Sequence, residues 1–309
     1  MNKKMMYYIG VLIVLVIILL LVKSKESKYI AKDIKYIKVD STQISKIQII
    51  NDNDTLVFAK DGDWQIVEPI TYPMDSSKKK QLLKGLSALT IDKKAVAENK
   101  ESHSKYGVDD SSGIHISVYK GEKLVNDFII GKSSNDYSHS YLREIGNDKV
   151  YQNKENFYYQ VSSPLKLWRD KTITNIDFED IKTVTIKVKN NEYSLLFADT
   201  VWVYKKGKSK FPLKENIAKS IINKIAKMRA VDFIDNKYNE YKDDLANPDF
   251  YSSIELVEGG SVKLKGFLNE KKYVIQKDDE TETLFEIYEG TVKGMDKDVD
   301  YFKKQALSK

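Results

Sequence analysis

Residues 82–89, LLKGLSAL, and residues 221–228, IINKIAKM, carry apolar side chains at the same four positions. Leu82, Leu83, Leu86 and Leu89 answer Ile221, Ile222, Ile225 and Met228, each pair displaced by 139 residues. Spacings of three and four residues place such side chains on one face of a helix. Four core positions sharing one displacement point to a repeated unit.

Working outward from these helices, the same order of signals recurs on both sides. Trp64 answers Trp202 at a displacement of 138, and Ile47 and Ile49 answer Val184 and Ile186 at 137. Downstream, Ile116, Val118 and Gly121 answer Ile254, Leu256 and Gly259 at 138. Gly131 then matches Gly266, and Val150-Tyr151 matches Leu284-Phe285. In the first copy three antiparallel strands are predicted around Ile47, Leu56 and Trp64. The Asp61-Gly62 pair between two of them supplies the positive φ that a tight hairpin needs. A helix follows over residues 76–91, with Ser76 or Ser77 as its cap. Strands come next at Ile114, residues 124–130, residues 141–145 and Val150-Tyr151, and a second helix is predicted over residues 153–171. Asn190-Asn191 takes the turn position in the second copy.

The N-terminal stretch MMYYIGVLIVLVIILLLV, residues 5–22, holds no charge and no proline. As a helix it spans about 27 Å, close to the ~30 Å hydrocarbon core of a bilayer. Lys3 and Lys4 precede it, and Lys23, Ser24, Lys25 and Glu26 follow where a cleaved leader needs small residues. The stretch therefore predicts a signal anchor, one transmembrane helix retained in the mature protein. Lys23, Lys25 and Lys28 nearly balance the positive charges before it, and the short tail favours the N-terminus inside and the rest of the chain outside.

The fold class expected is α+β: an N-terminal single transmembrane helix followed by two tandem repeats of antiparallel strands–helix–strands–helix. The organisation is a cytoplasmic tail at 1–4, the span at 5–22, a juxtamembrane linker at 23–40, and repeats at 41–174 and 175–309. A chain of 309 residues with 41% hydrophobic content is long enough for two such units. Setting Lys3 and Lys4 aside, the net charge of the remainder is only about +4, too mild for a nucleic-acid footprint. The chain contains no cysteine, which excludes a disulfide framework, a thiol nucleophile and cysteine-based metal sites.

Residues that carry chemistry are sparse. His103, His115 and His139 are the only histidines. None has the spacing of a zinc helix, and His115 alternates with Ile114 and Ile116, so it belongs to the other face of a strand. Gly131-Lys132-Ser133 lacks the upstream glycine and the following helix of a phosphate loop. Asp278, Asp279, Glu280 and Glu282 lack calcium-loop spacing and suit a solvated hairpin tip. Asp52 and Asp54 read as turn formers. Lys78, Lys79, Lys80 and Lys84 form the one cluster with an interaction reading: a solvated helix face, or a contact with lipid headgroups or an acidic partner. The chain's twenty tyrosines suit sheet positions and interaction surfaces alike. No catalytic residue, cofactor site or metal site is nominated.

Several stretches together resemble the bacterial domain-of-unknown-function 4340 family. They are Trp64-Gln65-Ile66-Val67-Glu68-Pro69, Tyr106-Gly107-Val108-Asp109, Ile130-Gly131, Tyr141-Leu142-Arg143 with Val150-Tyr151, and Leu167-Trp168-Arg169-Asp170-Lys171. The first copy has Ser111 where the second has Pro248, and the second lacks a glycine after Tyr241. The resemblance implies a membrane-anchored envelope accessory protein, since such families often accompany gliding-motility-type ABC export systems; it supplies no active residue. The function expected is a non-enzymatic, membrane-anchored extracytoplasmic scaffold that presents the duplicated module to an envelope protein partner, an ABC-type export complex. The alternatives are an envelope ligand-binding module for glycan or peptide, and an envelope enzyme.

Overall fold

The computed structural model describes residues 3–29, 33–51 and 54–307, and on the N-terminal helix the side chains of residues 8–21. That helix, α1, runs Lys3–Tyr29, and every side chain described on it is exposed. Among the described residues no helix is long and apolar enough to cross a membrane. Residues 5–7 and 22 of the expected span lie outside the described side chains, and residues 1–2 of the expected tail lie outside the described residues.

The chain divides into two compact units, Met1–Asp170 and Lys171–Lys309. In the first, the strands are β1 (Ile34–Lys35), β2 (Lys46–Ile50), β3 (Thr55–Asp61), β4 (Asp63–Glu68), β5 (Tyr72–Pro73), β6 (Thr90–Ile91), β7 (Ile114–Lys120), β8 (Lys123–Ser133), β9 (Ser140–Glu144) and β10 (Val150–Asn153). The helices are α2 (Ser76–Ala88), α3 (His103–Tyr106), α4 (Tyr158–Val161) and α5 (Leu165–Trp168). Among the described residues the strands form one antiparallel sheet in the order β1-β6-β10-β9-β8-β7-β2-β3-β4-β5. Two meanders meet where β2 pairs with β7. Alternation puts Ile47, Ile49, Ile116, Val118, Phe128 and Ile130 on one face, where Leu82 and Leu86 of α2, Phe157 and Trp168 cover them. Gly85 lets α2 approach α4: a Cβ there would stand 2.5 Å from the Phe157 ring. Part of the opposite face carries a second small core of Val108, Ile129 and Val150.

The second unit holds β11 (Ile181–Val188), β12 (Asn191–Ala198), β13 (Val201–Lys206), β14 (Ser209–Leu213), β15 (Asp232–Asp235), β16 (Phe250–Leu256), β17 (Ser261–Asn269), β18 (Lys272–Lys277) and β19 (Thr283–Tyr288). Its helices are α6 (Glu215–Ala226), α7 (Tyr238–Ala246), α8 (Glu289–Lys293) and α9 (Val299–Lys303). The antiparallel sheet order is β14-β13-β12-β11-β16-β17-β18-β19-β15. Two meanders again meet at a central pair, here β11 with β16, and the strand after the long helix lies at the far edge. Ile221, Ile222 and Ile225 of α6 and Trp202 pack in the core of this unit.

Local differences from the sequence reading have local causes. α2 is capped by Asp75, whose carboxylate accepts from the backbone N–H groups of Ser77 and Lys78, each at 3.0 Å, and not by Ser76 or Ser77. The helix stops at Ala88, because Thr90 and Ile91 enter the sheet as β6. The helix expected over residues 153–171 is two single-turn helices, α4 and α5, separated at Ser162, Ser163 and Pro164. The β11–β12 turn is Lys189-Asn190, with Lys189 at φ 53°, one residue earlier than expected. The stretch read as a linker at 23–40 supplies the end of α1, strand β1 and the fully buried Ile37; its residues 30–32 lie outside the described ones. Of the two turn formers, Asp52 lies outside the described residues, while the N–H of Asp54 donates to the Asn51 side chain at 2.9 Å.

Candidate functional site

Antiparallel pairing sets side chains of neighbouring strands side by side in rows. On the face of the first sheet opposite its main core, Ile50, His115, Ile129 and Arg143 form one row across β2, β7, β8 and β9. Gln48, Ser117 and Asp127 form the next, and the N–H of Ile145 donates to the Asp127 carbonyl at 3.1 Å. Val108 covers the Ile129 end, and the loops around Lys100 and Asp110 rise beside the remainder. They leave a cavity of about 480 Å³ lined by Lys100, His103, Asp110, His115, Asp127 and Arg143, among others.

Most polar atoms of this cavity have fixed partners. The buried His103 uses Nε2 on the Asp148 carbonyl at 2.9 Å, and His115 uses Nε2 on the Asp110 carbonyl at 3.1 Å. A carbonyl only accepts, so both rings carry a proton on Nε2. Arg143, also buried, donates from Nε to the Val108 carbonyl at 2.7 Å and from a terminal nitrogen to the Asp110 carboxylate. That guanidinium holds the Asp110 carboxyl below the usual carboxylate range. Asp127 accepts from the Ser117 hydroxyl at 2.9 Å, and among the described residues no Lys or Arg forms an ion pair with it.

The wall beside the cavity is built by short-range chemistry. α3 ends at Gly107, whose φ of 65° lies in the left-handed region that glycine enters freely. Asp109 then closes a turn, accepting from the hydroxyls of Ser111 and Ser112 at 2.7 Å each. These bonds, the Ser112 one foremost, hold its pKa at about 2. Gly131 must lack a side chain, since a Cβ would stand 2.2 Å from the Tyr106 carbonyl oxygen. The Tyr106 and Tyr141 rings lie 4.6 Å apart. The stretches Tyr106-Gly107-Val108-Asp109, Ile130-Gly131 and Tyr141-Leu142-Arg143 therefore gather around one place. Val150 joins them through its packing with Val108 and Ile129, whereas Trp64 and Trp168 belong to the main core on the other face. Asp170 donates its backbone N–H to the Pro73 carbonyl at 2.9 Å, and Asp75 donates to that of Trp168 at 2.7 Å.

The family described as Domain of unknown function (DUF4340) matches residues 64–248. The chain belongs to this family. The DUF4340 match begins on β4 in the first unit, crosses the boundary between the units and ends just after α7, so it takes in the wall and the cavity lining other than Ile50. No curated protein and no solved structure matches the chain.

The four lysines singled out in the sequence do not act alike. The Lys78 ammonium donates to the Ser163 hydroxyl at 3.1 Å and lies 5.5 Å from the Trp168 ring centroid. Lys79 pairs with Asp63 at 2.6 Å. Lys80 and Lys84 are exposed. His103 and His115 line one cavity, while His139 sits outside it with its ring nitrogen 2.9 Å from the Ser138 hydroxyl. Among the described residues no group of three or more His, Asp or Glu side chains is placed to hold a metal ion. Sequence reading missed Lys100, Asp110, Asp127 and Arg143. The available signal was Asp127, a carboxylate directly before Phe128, Ile129 and Ile130 in a strand with both faces covered in part.

Proposed function

We propose that this DUF4340 chain is a membrane-anchored accessory protein of the bacterial envelope. Residues 5–22 cross the cytoplasmic membrane once, with the N-terminal tail inside and both units outside. The observation that carries this reading is α1, which exposes apolar side chains on all sides along residues 8–21. A helix apolar all round has no stable place in water, where exposed apolar surface costs about 25 cal/mol per Å² relative to burial. Met5, Met6, Tyr7 and Val22 extend that apolar sequence at both ends.

The two units are a duplicated module in this reading. Support comes from the strand orders, which follow one scheme once β1 is set aside, and from the displacements near 138 in the sequence. The anchor raises the effective concentration of the module near membrane partners, and the sheets supply rigid docking surfaces. Lys80 and Lys84 are the members of the lysine cluster offered to lipid headgroups or an acidic partner. An ABC-type export complex as the partner is supported by the family resemblance.

Alkaline carbonate extraction tests the anchor: the full chain stays with the membrane fraction, and deletion of residues 1–22 releases it. Release of the full chain would overturn the anchor. Purification in mild detergent tests the partner, and migration of the chain alone would remove it.

A further inference from the structure

The cavity on the outer face of the first sheet has an imbalance of hydrogen-bonding capacity that goes beyond an anchoring role. Its donors other than the Lys100 ammonium are already engaged: Arg143 on Asp110 and on the Val108 carbonyl, and the Nε2 protons of His103 and His115 on backbone carbonyls. Acceptor capacity remains. An ionised carboxylate offers about four acceptor sites, and on Asp127 the Ser117 hydroxyl takes one of them. Asp127 is half-buried on the cavity floor, where a carboxylate held by a single neutral hydroxyl interacts with a cation more strongly than at an open surface. Lys100 stands exposed at the rim.

We propose that this cavity binds a small zwitterion, with a primary ammonium group on Asp127 and a carboxylate directed outward to Lys100. The chemical class is that of a free amino acid or an ω-amino acid. A volume of about 480 Å³ accommodates such a molecule. Arg143 does not compete for the ligand carboxylate, because Asp110 already holds it.

The test uses the full chain in mild detergent with ¹³C-labelled histidine rings and 6-aminohexanoate as the probe. His103 and His115 line the cavity and His139 does not, so the chain contains its own reference signal. The probe should move the His103 and His115 signals saturably and leave His139 in place, with a Kd of about 1 mM or tighter. 6-Acetamidohexanoate, which has lost the ammonium charge, should move neither, and Asp127→Asn should weaken binding by about tenfold or more. Absence of a saturable shift at His103 and His115, equal binding of the acetamido compound, or a shift of His139 alongside the others would each overturn the proposal. The acetamido comparison needs no variant, so it decides the matter even if Asp127→Asn alters the resting spectrum.

Discussion

Arg143 on β9 donates its Nε proton to the carbonyl oxygen of Val108 at 2.7 Å, fastening together segments that lie 35 residues apart. Its side chain is 4% exposed while that of its carboxylate partner Asp110 is 69% exposed. The bond to Val108 is therefore shielded, and the ion pair is half in water. Arg143→Met should lower stability by about 1–3 kcal/mol, because the buried Val108 carbonyl loses its side-chain donor. Asp110→Asn should cost less than about 1 kcal/mol, as for other pairs open to solvent. Guanidinium unfolding midpoints rank the two, and an Asp110→Asn loss equal to that of Arg143→Met would contradict the division.

Gly85 gives a sign reversal. Replacing glycine by alanine inside a helix ordinarily gains up to about 1 kcal/mol. At Gly85 the new methyl would lie 2.3 Å from the Gln160 side-chain oxygen and 2.5 Å from Phe157. Gly85→Ala should therefore destabilise by about 1–3 kcal/mol through overpacking. Gly290, in α8, has nothing within 4 Å of where a Cβ would stand and should tolerate alanine with no loss. Melting temperatures of the two variants check both signs together.

Asp109 links stability to acid. Its folded pKa of about 2 lies below the value near 3.9 of an unfolded aspartate. The unfolded chain takes up the proton first as pH falls, so the stabilisation is full above about pH 4 and is lost as pH drops through about 2. Asp109→Asn cannot titrate. The stability gap between wild type and variant should be widest at neutral pH and close toward pH 2. Urea midpoints measured across that range give the slope; a gap independent of pH would contradict it.

Much of the local architecture was legible because it depends on neighbours in sequence. Gly62, at φ 69°, closes the β3–β4 hairpin, and the stripe of Leu82 and Leu86 faces the core as its spacing requires. His115 lies on the face opposite Ile114 and Ile116, as alternation demands. The cavity was not legible, because its rows depend on which distant strands pair and in which register. Ile50 meets His115, and Ile129 meets Arg143, which no local pattern encodes. In the sequence Lys78 is one of a cluster of four lysines, and its partner, Ser163, lies 85 residues away. Gly131 and Gly266 matched in sequence yet serve different contacts, the first against Tyr106 and Val108, the second against the Val274 carbonyl and Ile275.

In the proposed topology residues 5–22 place both units on the outer side of the cytoplasmic membrane. The chain has no cysteine, so a single introduced thiol reports its own location. Lys80 is exposed in the first unit and Tyr288 is 64% exposed in the second. Lys80→Cys and Tyr288→Cys should both react with a membrane-impermeant maleimide on intact cells, to the same extent as after permeabilisation. Labelling of either site only after permeabilisation would contradict the account.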